Sequence, residues 1–237
     1  MPATLPPCSI WWAAPVDPAR GPGLLHLLDA HERGRLARLR RAADRARYLA
    51  AHALTRLVLG DLLNIPAVAL ELDRTCRCGE QHGKPRLLGA STPGFSLTHA
   101  GALVGVAVRP DGAVGLDVEP VRELTDLAGM ARHVQSPAEL TRAVAVAGPE
   151  AFFTTWTRKE ALLKATGDGL STPMSTITLA AAGAAVQEWT GEGAPDGPVW
   201  LRDLSPLPGY AAALAGPGPA APAVTESDGD AVLRAEV

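Results

Sequence analysis

The sequence predicts an α+β fold in two halves, and three observations carry that prediction. Short apolar runs of strand length alternate with longer stretches of helical periodicity. The order strand, helices, strands is followed by helices and strands again. The length of 237 residues is enough for one large domain or two small ones with real cores. Hydrophobic residues make up 47% of the chain and aromatic residues only 4%, so those cores must be built mainly from Ala, Leu and Val.

Taken in order, residues 9–14 read as a first strand and residues 15–23 as a loop. Residues 24–63 have helical spacing and predict two helices broken near Arg41-Ala42-Ala43-Asp44. The second of them carries Tyr48, Leu49, Ala53, Arg56, Leu57 and Leu63 on the helical repeat. Pro66 closes it, and residues 68–73 alternate like a strand. Residues 76–93 are rich in turn formers. Phe95-Ser96-Leu97 begins a strand that stops around His99-Ala100-Gly101. Residues 103–108 and 114–118 are apolar runs joined by Pro110-Asp111-Gly112, which predicts a hairpin. Helices are expected at 124–134, 137–146 and 150–166, and short strands at 177–179, 185–189, 199–204 and 210–214. From Gly216 onward Pro, Gly, Ala and acidic residues dominate, which predicts a disordered tail.

A net charge of -3 and a pI near 6.1 argue against general nucleic-acid or membrane-surface binding. Cys8, Cys76 and Cys78 are too few and too poorly spaced for a disulfide framework. Pro2, Pro6, Pro7, Pro15 and Asp17 interrupt Ile10-Trp11-Trp12, so no secretory signal is visible, and no stretch reads as a membrane span. A cytoplasmic setting is expected. Lys occurs only at 84, 159 and 164, the other basic positions being Arg, which draws attention to those three.

Two segments carry the chemistry. In Val114-Gly115-Leu116-Asp117-Val118-Glu119-Pro120, a strand puts Val114, Leu116 and Val118 on one face and Asp117 with Glu119 on the other. Adjacent carboxylates repel unless they are solvated or share a cation, and hard oxygen ligands suit Mg²⁺. A solvated acidic edge strand is the plain alternative. In residues 152–164, helical spacing aligns Phe153, Trp156, Glu160, Leu163 and Lys164 on one inward face. Charges on such a face need a partner, a hydrogen bond or a metal. Gly167 and Gly169 end the helix.

These segments carry a family resemblance. Gly115-Leu116-Asp117-Val118-Glu119, followed by Trp156-Thr157-Arg158-Lys159-Glu160-Ala161-Leu162-Leu163-Lys164 and Gly167-Asp168-Gly169-Leu170, resembles the paired signature of the 4'-phosphopantetheinyl transferases. Gly83-Lys84-Pro85 and Phe95-Ser96-Leu97-Thr98-His99-Ala100-Gly101 are similar to upstream elements of the larger, surfactin-type members. The sequence departs from that second element at Ser96, Thr98 and Ala100; Thr98 keeps a hydroxyl and Ala100 does not.

The resemblance, over about residues 10–215, implies two pseudo-equivalent α+β halves with the active site at their interface. Their expected extents are 1–112 and 113–215, with 216–237 as the tail. It also implies transfer of phosphopantetheine from coenzyme A to a serine of an apo acyl, aryl or peptidyl carrier protein, releasing 3',5'-ADP. Asp117, Glu119 and Glu160 are then the expected Mg²⁺ ligands, with Mn²⁺ as a substitute, and Glu160 can assist deprotonation of the serine. Lys164 is expected to neutralise the pyrophosphate. Lys84, Thr98 and His99 are the expected coenzyme ligands, joined by Arg35 and Arg47 from the Arg-rich N-terminal helices. The class further implies a monomer with a lean toward secondary-metabolite carriers.

Other readings stay open at this level. Lys84 in a turn can simply be solvated, and His99 can be a half-buried core histidine. Another Mg²⁺-dependent phosphoryl-transfer enzyme or pyrophosphate hydrolase would use the same acidic site. A zinc-loop binding module would rest on Cys76, Cys78 and His82, which offer three ligands where structural zinc takes four.

Overall fold

The computed structural model describes residues 8–76, 79–81, 83–88, 93–142, 148–167, 172–191 and 193–236. The chain runs β1 (Cys8–Ala13), α1 (Pro22–Leu27), α2 (Ala30–Arg38), α3 (Ala42–Leu63) and a 3-10 turn at Ala67–Ala69. The short strands β2 (Leu72–Asp73) and β3 (Arg86–Leu87) follow, then β4 (Gly94–Ala100) and β5 (Leu103–Arg109). The second series is β6 (Gly115–Pro120), α4 (Leu127–Val134), α5 (Pro137–Thr141), α6 (Pro149–Thr166) and a 3-10 turn at Met174–Thr176. It continues with β7 (Ile177–Leu179), β8 (Val186–Trp189), β9 (Val199–Leu204) and β10 (Tyr210–Pro217). A closing strand β11 (Val224–Asp228) and helix α7 (Gly229–Arg234) complete the chain. The fold is α+β, as expected.

The element order repeats, and so does the pairing: β1-β5-β4 in one sheet has the same order as β6-β10-β9 in the other. Helix α3 lays Leu49, Leu54 and Leu59 on Val104, Val106 and Val108 of the first sheet. Helix α6 lays Phe153, Leu162 and Leu163 on Leu201, Ala213 and Ala215 of the second. A third cluster of Cys8, Ile10, Ala107, Leu116, Val118 and Leu214 joins the two sheets. Each fully buried Leu contributes about 1.5–3 kcal/mol relative to an exposed one, so these three clusters hold the two series together.

Four expectations need correction. The 24–63 stretch holds three helices, because Leu28 is extended and Asp29 starts α2 with a capping box to Glu32. Residues 68–73 are a 3-10 turn and only two residues of strand, since Arg56 draws the Ala67 and Leu70 carbonyl oxygens inward at 3.2 and 3.1 Å. The hairpin joins β4 to β5, turning at Gly101 with φ 56°, and β5 does not pair with β6. Both edges of β5 are already taken, by β1 and β4, so the chain after residue 112 crosses to the other sheet.

The tail is the fourth correction. Val224–Asp228 pairs in parallel with β1, Trp12 Nε1 donates to Glu226 at 2.7 Å, and Leu233 is buried. Low-complexity composition hid an edge strand whose partner lies at the far end of the chain.

Two buried cations repeat with the fold. Arg56 of α3 is fully buried and donates to Glu32 at 2.7 Å and Asp29 at 2.6 Å, the two members of the α2 capping box. Lys159 of α6 is fully buried and donates to Glu139 at 2.6 Å, a member of the α5 capping box with Ser136. It also donates to the Val134 and Met174 carbonyl oxygens at 2.8 and 3.2 Å. Burial alone would push the Glu32 carboxyl up, but His52 and Arg56 outweigh it and hold it at about 2. Each long helix is thereby locked to the short capped helix before it.

Candidate active site

At Gly115, strand β6 meets α6 with no side chain between them. A Cβ on Gly115 would lie 1.9 Å from the Ala161 carbonyl oxygen and 2.5 Å from the Ala165 nitrogen, so this approach requires glycine. At that depth Lys164 Nζ donates to Asp117 Oδ1 at 2.7 Å and to the Leu116 carbonyl oxygen at 3.0 Å. Thr98 Oγ1 donates to the same Asp117 oxygen at 3.2 Å. Ser96 Oγ accepts from the Leu116 N–H at 3.0 Å. Side chains of β4 thus bridge to β6 where no backbone pairing joins the two sheets.

The strand face divides as its period requires. Leu116 and Val118 point into the cluster between the sheets, while Asp117 and Glu119 face the α6 side. Burial pushes the Asp117 carboxyl up against the opposing pull of Lys164. Burial and then the Asp117 charge push Glu119 up. Glu160 is pushed up to about 7 by burial, with Lys164 opposing and the charges of Asp117 and Glu119 adding to the rise. Three carboxylates therefore feel one another across β6 and α6, with Lys164 as the nearby ammonium.

Lys164 pairs with Asp117 and not with Glu160, its neighbour one turn back. Glu160 has no ion pair or hydrogen bond from its carboxylate among the described residues. Glu119 is held loosely by Arg122 at 3.4 Å, and the Arg122 guanidinium stacks over Phe153 at 4.7 Å.

The donor set fits a hard divalent cation. Asp117 Oδ2 is buried and has no hydrogen-bond partner, an arrangement that costs free energy until a donor or cation meets that oxygen. Among the described residues no group of three or more His, Cys, Asp and Glu side chains stands placed to hold a metal ion. Mg²⁺ does not need one, since it keeps waters and takes substrate phosphates beside one or two carboxylates.

The upstream residues differ among themselves in placement. Lys84 points inward and donates to the Val114 carbonyl oxygen at 2.7 Å, just before β6. Burial, then the charges of Arg86 and Lys164, lower its ammonium to about 7. It lines a cavity of about 380 Å³ with Arg86, Phe95, Gly112, Thr166 and Gly167, so β3, β4 and the end of α6 meet there. His99 remains reachable by solvent, yet surrounding protein and then the Lys164 charge push its imidazole down to about 4.

Thr98 is buried and its hydroxyl hydrogen is spent on Asp117. Arg47 donates to the Gly101 carbonyl oxygen at 3.0 Å and pairs with Asp44. Arg35 is exposed on α2. Cys78 and His82, two of the three groups of the zinc reading, lie outside the described residues.

Sequence reasoning missed the structural role of Lys159, whose neighbour Glu160 drew the attention. It also missed Ser96 and Tyr210. A polar residue within the apolar run of β4 was the available signal for Ser96; Tyr210 gave none.

The model of the 4'-phosphopantetheinyl transferase superfamily matches residues 113–215, the stretch from β6 through most of β10. The chain is 32% identical to the 4'-phosphopantetheinyl transferase HetI of Nostoc sp. over 168 residues, 68% of this chain and 69% of HetI. It is 30% identical to the 4'-phosphopantetheinyl transferase psf-1 of Bacillus pumilus over 156 residues, 62% of this chain and 61% of psf-1. The matched stretch contains β6 and α6, which carry Asp117, Glu119, Glu160 and Lys164, and the chain belongs to the 4'-phosphopantetheinyl transferase superfamily.

Proposed function

We propose that the protein transfers phosphopantetheine from coenzyme A to a carrier-protein serine, using a Mg²⁺ ion held by Asp117, Glu119 and Glu160. The observation that carries the metal assignment is the buried, unpartnered Asp117 Oδ2 within a group of carboxylates whose protons are all held more tightly than usual. A bound Mg²⁺ supplies Lewis-acid polarisation and charge neutralisation at the pyrophosphate. The remaining work falls to positioning, as in phosphoryl transfer generally.

In this reading Lys164 places an ammonium beside Asp117 and faces the pyrophosphate. The serine oxygen attacks the phosphorus that bears pantetheine, the bond to the bridging oxygen breaks, and 3',5'-ADP leaves. Glu160 can also assist in taking the serine proton, directly or through a water. Lys84 and His99 bind coenzyme phosphates, and a phosphate entering beside Lys84 would restore its full charge. Thr98 supports Asp117 and the coenzyme side of the cleft together, while Arg35 and Arg47 offer cationic surface at its N-terminal side. The two series, 1–112 and 113–215, act as pseudo-equivalent halves that share this cleft. The protein works in the cytoplasm as a monomer, on an acyl, aryl or peptidyl carrier. No described helix is long and apolar enough to cross a membrane.

Calorimetry tests the coenzyme assignment. Lys84→Ala and His99→Ala should each weaken coenzyme A binding by about 1.5–3 kcal/mol, the range for a hydrogen bond to a charged group. Repeating the titration with dephospho-coenzyme A identifies the phosphate each residue meets. Unchanged affinity for both ligands in both variants would remove these residues from the site.

A further inference from the structure

The turn between β4 and β5 is tied from both sides. It is a two-residue loop, Gly101-Ala102, closing the pair Ala100–Leu103, and Gly101 adopts a left-handed φ of 56°. From α3, Arg47 donates to the Gly101 carbonyl oxygen at 3.0 Å. From β10, Tyr210 Oη accepts from the Ala102 N–H at 2.8 Å. The packing there is tight: a Cβ on Gly101 would lie 2.4 Å from Tyr210 Oη and 3.4 Å from Pro120 Cγ. Tyr210 pairs with Pro120, and Pro120 follows Glu119. His99 immediately precedes the turn.

These contacts form a series along β4. Ser96 holds the Leu116 N–H, Thr98 holds Asp117, and the turn holds Tyr210. All three reach across to the second sheet without backbone pairing. The outermost one fixes the end of β4 on which His99 sits, relative to the end of β6 on which Glu119 sits.

We propose that Tyr210 is a positioning residue for coenzyme A: its phenolic oxygen holds the 101–102 turn so that His99 stands at a fixed place at the end of β4. This rests on the reading of His99 as a coenzyme ligand. The hydroxyl touches neither the coenzyme nor the reacting atoms, so its effect must travel through the turn and His99. Arg47 supports the same turn from the α3 side.

The test is a double-mutant cycle on the full chain. Tyr210→Phe keeps the ring and deletes the acceptor oxygen. It should raise KM for coenzyme A about three- to tenfold, the effect of one lost neutral hydrogen bond, with KM for the carrier protein unchanged. In a His99→Ala background the same change should add less than about twofold, because the residue it positions is gone. The melting temperature of each variant is measured alongside.

An equal fold-increase with and without His99 would overturn the proposal. So would a lowered melting temperature with KM unchanged at temperatures where the variant is folded. If His99→Ala itself leaves coenzyme affinity intact while Tyr210→Phe raises KM, the reading of His99 fails first, and the proposal falls with it for that identifiable reason.

Discussion

Glu160→Gln is expected to lower turnover by about 10²–10³-fold, the range for losing one group that stabilises transition-state charge. The substitution keeps the side chain's shape and one carbonyl oxygen, so α6 is not disturbed. Its stability effect has a definite sign. The folded-state pKa of Glu160 is raised to about 7 from 4.5, so the folded chain holds this proton more tightly than the unfolded chain does. Wild-type stability therefore falls as pH rises from about 4.5 through about 7, and the Gln variant lacks that loss. Without metal at pH 8 the variant should melt at or above the wild-type temperature.

Added Mg²⁺ should then raise the wild-type melting temperature, since a ligand that binds only the folded state stabilises it, and should leave the variant nearly unchanged. A variant that is less stable than wild type, turns over normally and responds to Mg²⁺ like wild type would show a structural glutamate.

The second large effect is on stability. Arg56→Met should destabilise the protein by about 3–5 kcal/mol, the range for breaking a buried ion pair by removing one partner. Arg56 satisfies Asp29, Glu32 and the Ala67 and Leu70 carbonyl oxygens at once. Its loss leaves Glu32, which is fully buried, with Arg74, His52 and the Asp29 N–H. Urea denaturation read against wild type gives the value, and turnover per folded molecule should be retained. A loss of less than about 1 kcal/mol, the level of a surface ion pair, would mean that the network closes without Arg56.

The parts legible in the sequence were those governed by local periodicity. A period of 2 separated Asp117 and Glu119 from Leu116 and Val118, and a period of 3.6 put Phe153, Glu160 and Leu163 toward the second sheet. The first placement holds in the structure; of the predicted helix face, Phe153 and Leu163 are buried, while Trp156, Glu160 and Lys164 are half-buried. Pairing over long distances was not legible. Strand β6 pairs with β10, far along the chain, whereas the nearer apolar run at 103–108 looked like its hairpin partner.

Strand β11 failed for the same reason, since nothing in its composition signals β1. Charged residues were legible only as types. Lys159 and Lys164 lie on one helix, yet one is sealed under Glu139 and two carbonyls while the other faces Asp117. Spacing alone does not say which way each ammonium turns. Arg56, read as one more residue on the helical repeat, proved to be a buried hub, because its partners come from α2 and the 3-10 turn after α3.

The most direct measurement is the intact mass of an apo carrier protein incubated with this protein and coenzyme A. With Mg²⁺ present, the carrier should gain the mass of one phosphopantetheine, with 3',5'-ADP appearing in equal amount. In excess chelator it should gain nothing, and restoring Mg²⁺ should restore the gain; Asp117→Ala should remain inactive throughout while keeping its fold. Full modification of the carrier in excess chelator, or by folded Asp117→Ala, would contradict a metal site built on Asp117, Glu119 and Glu160.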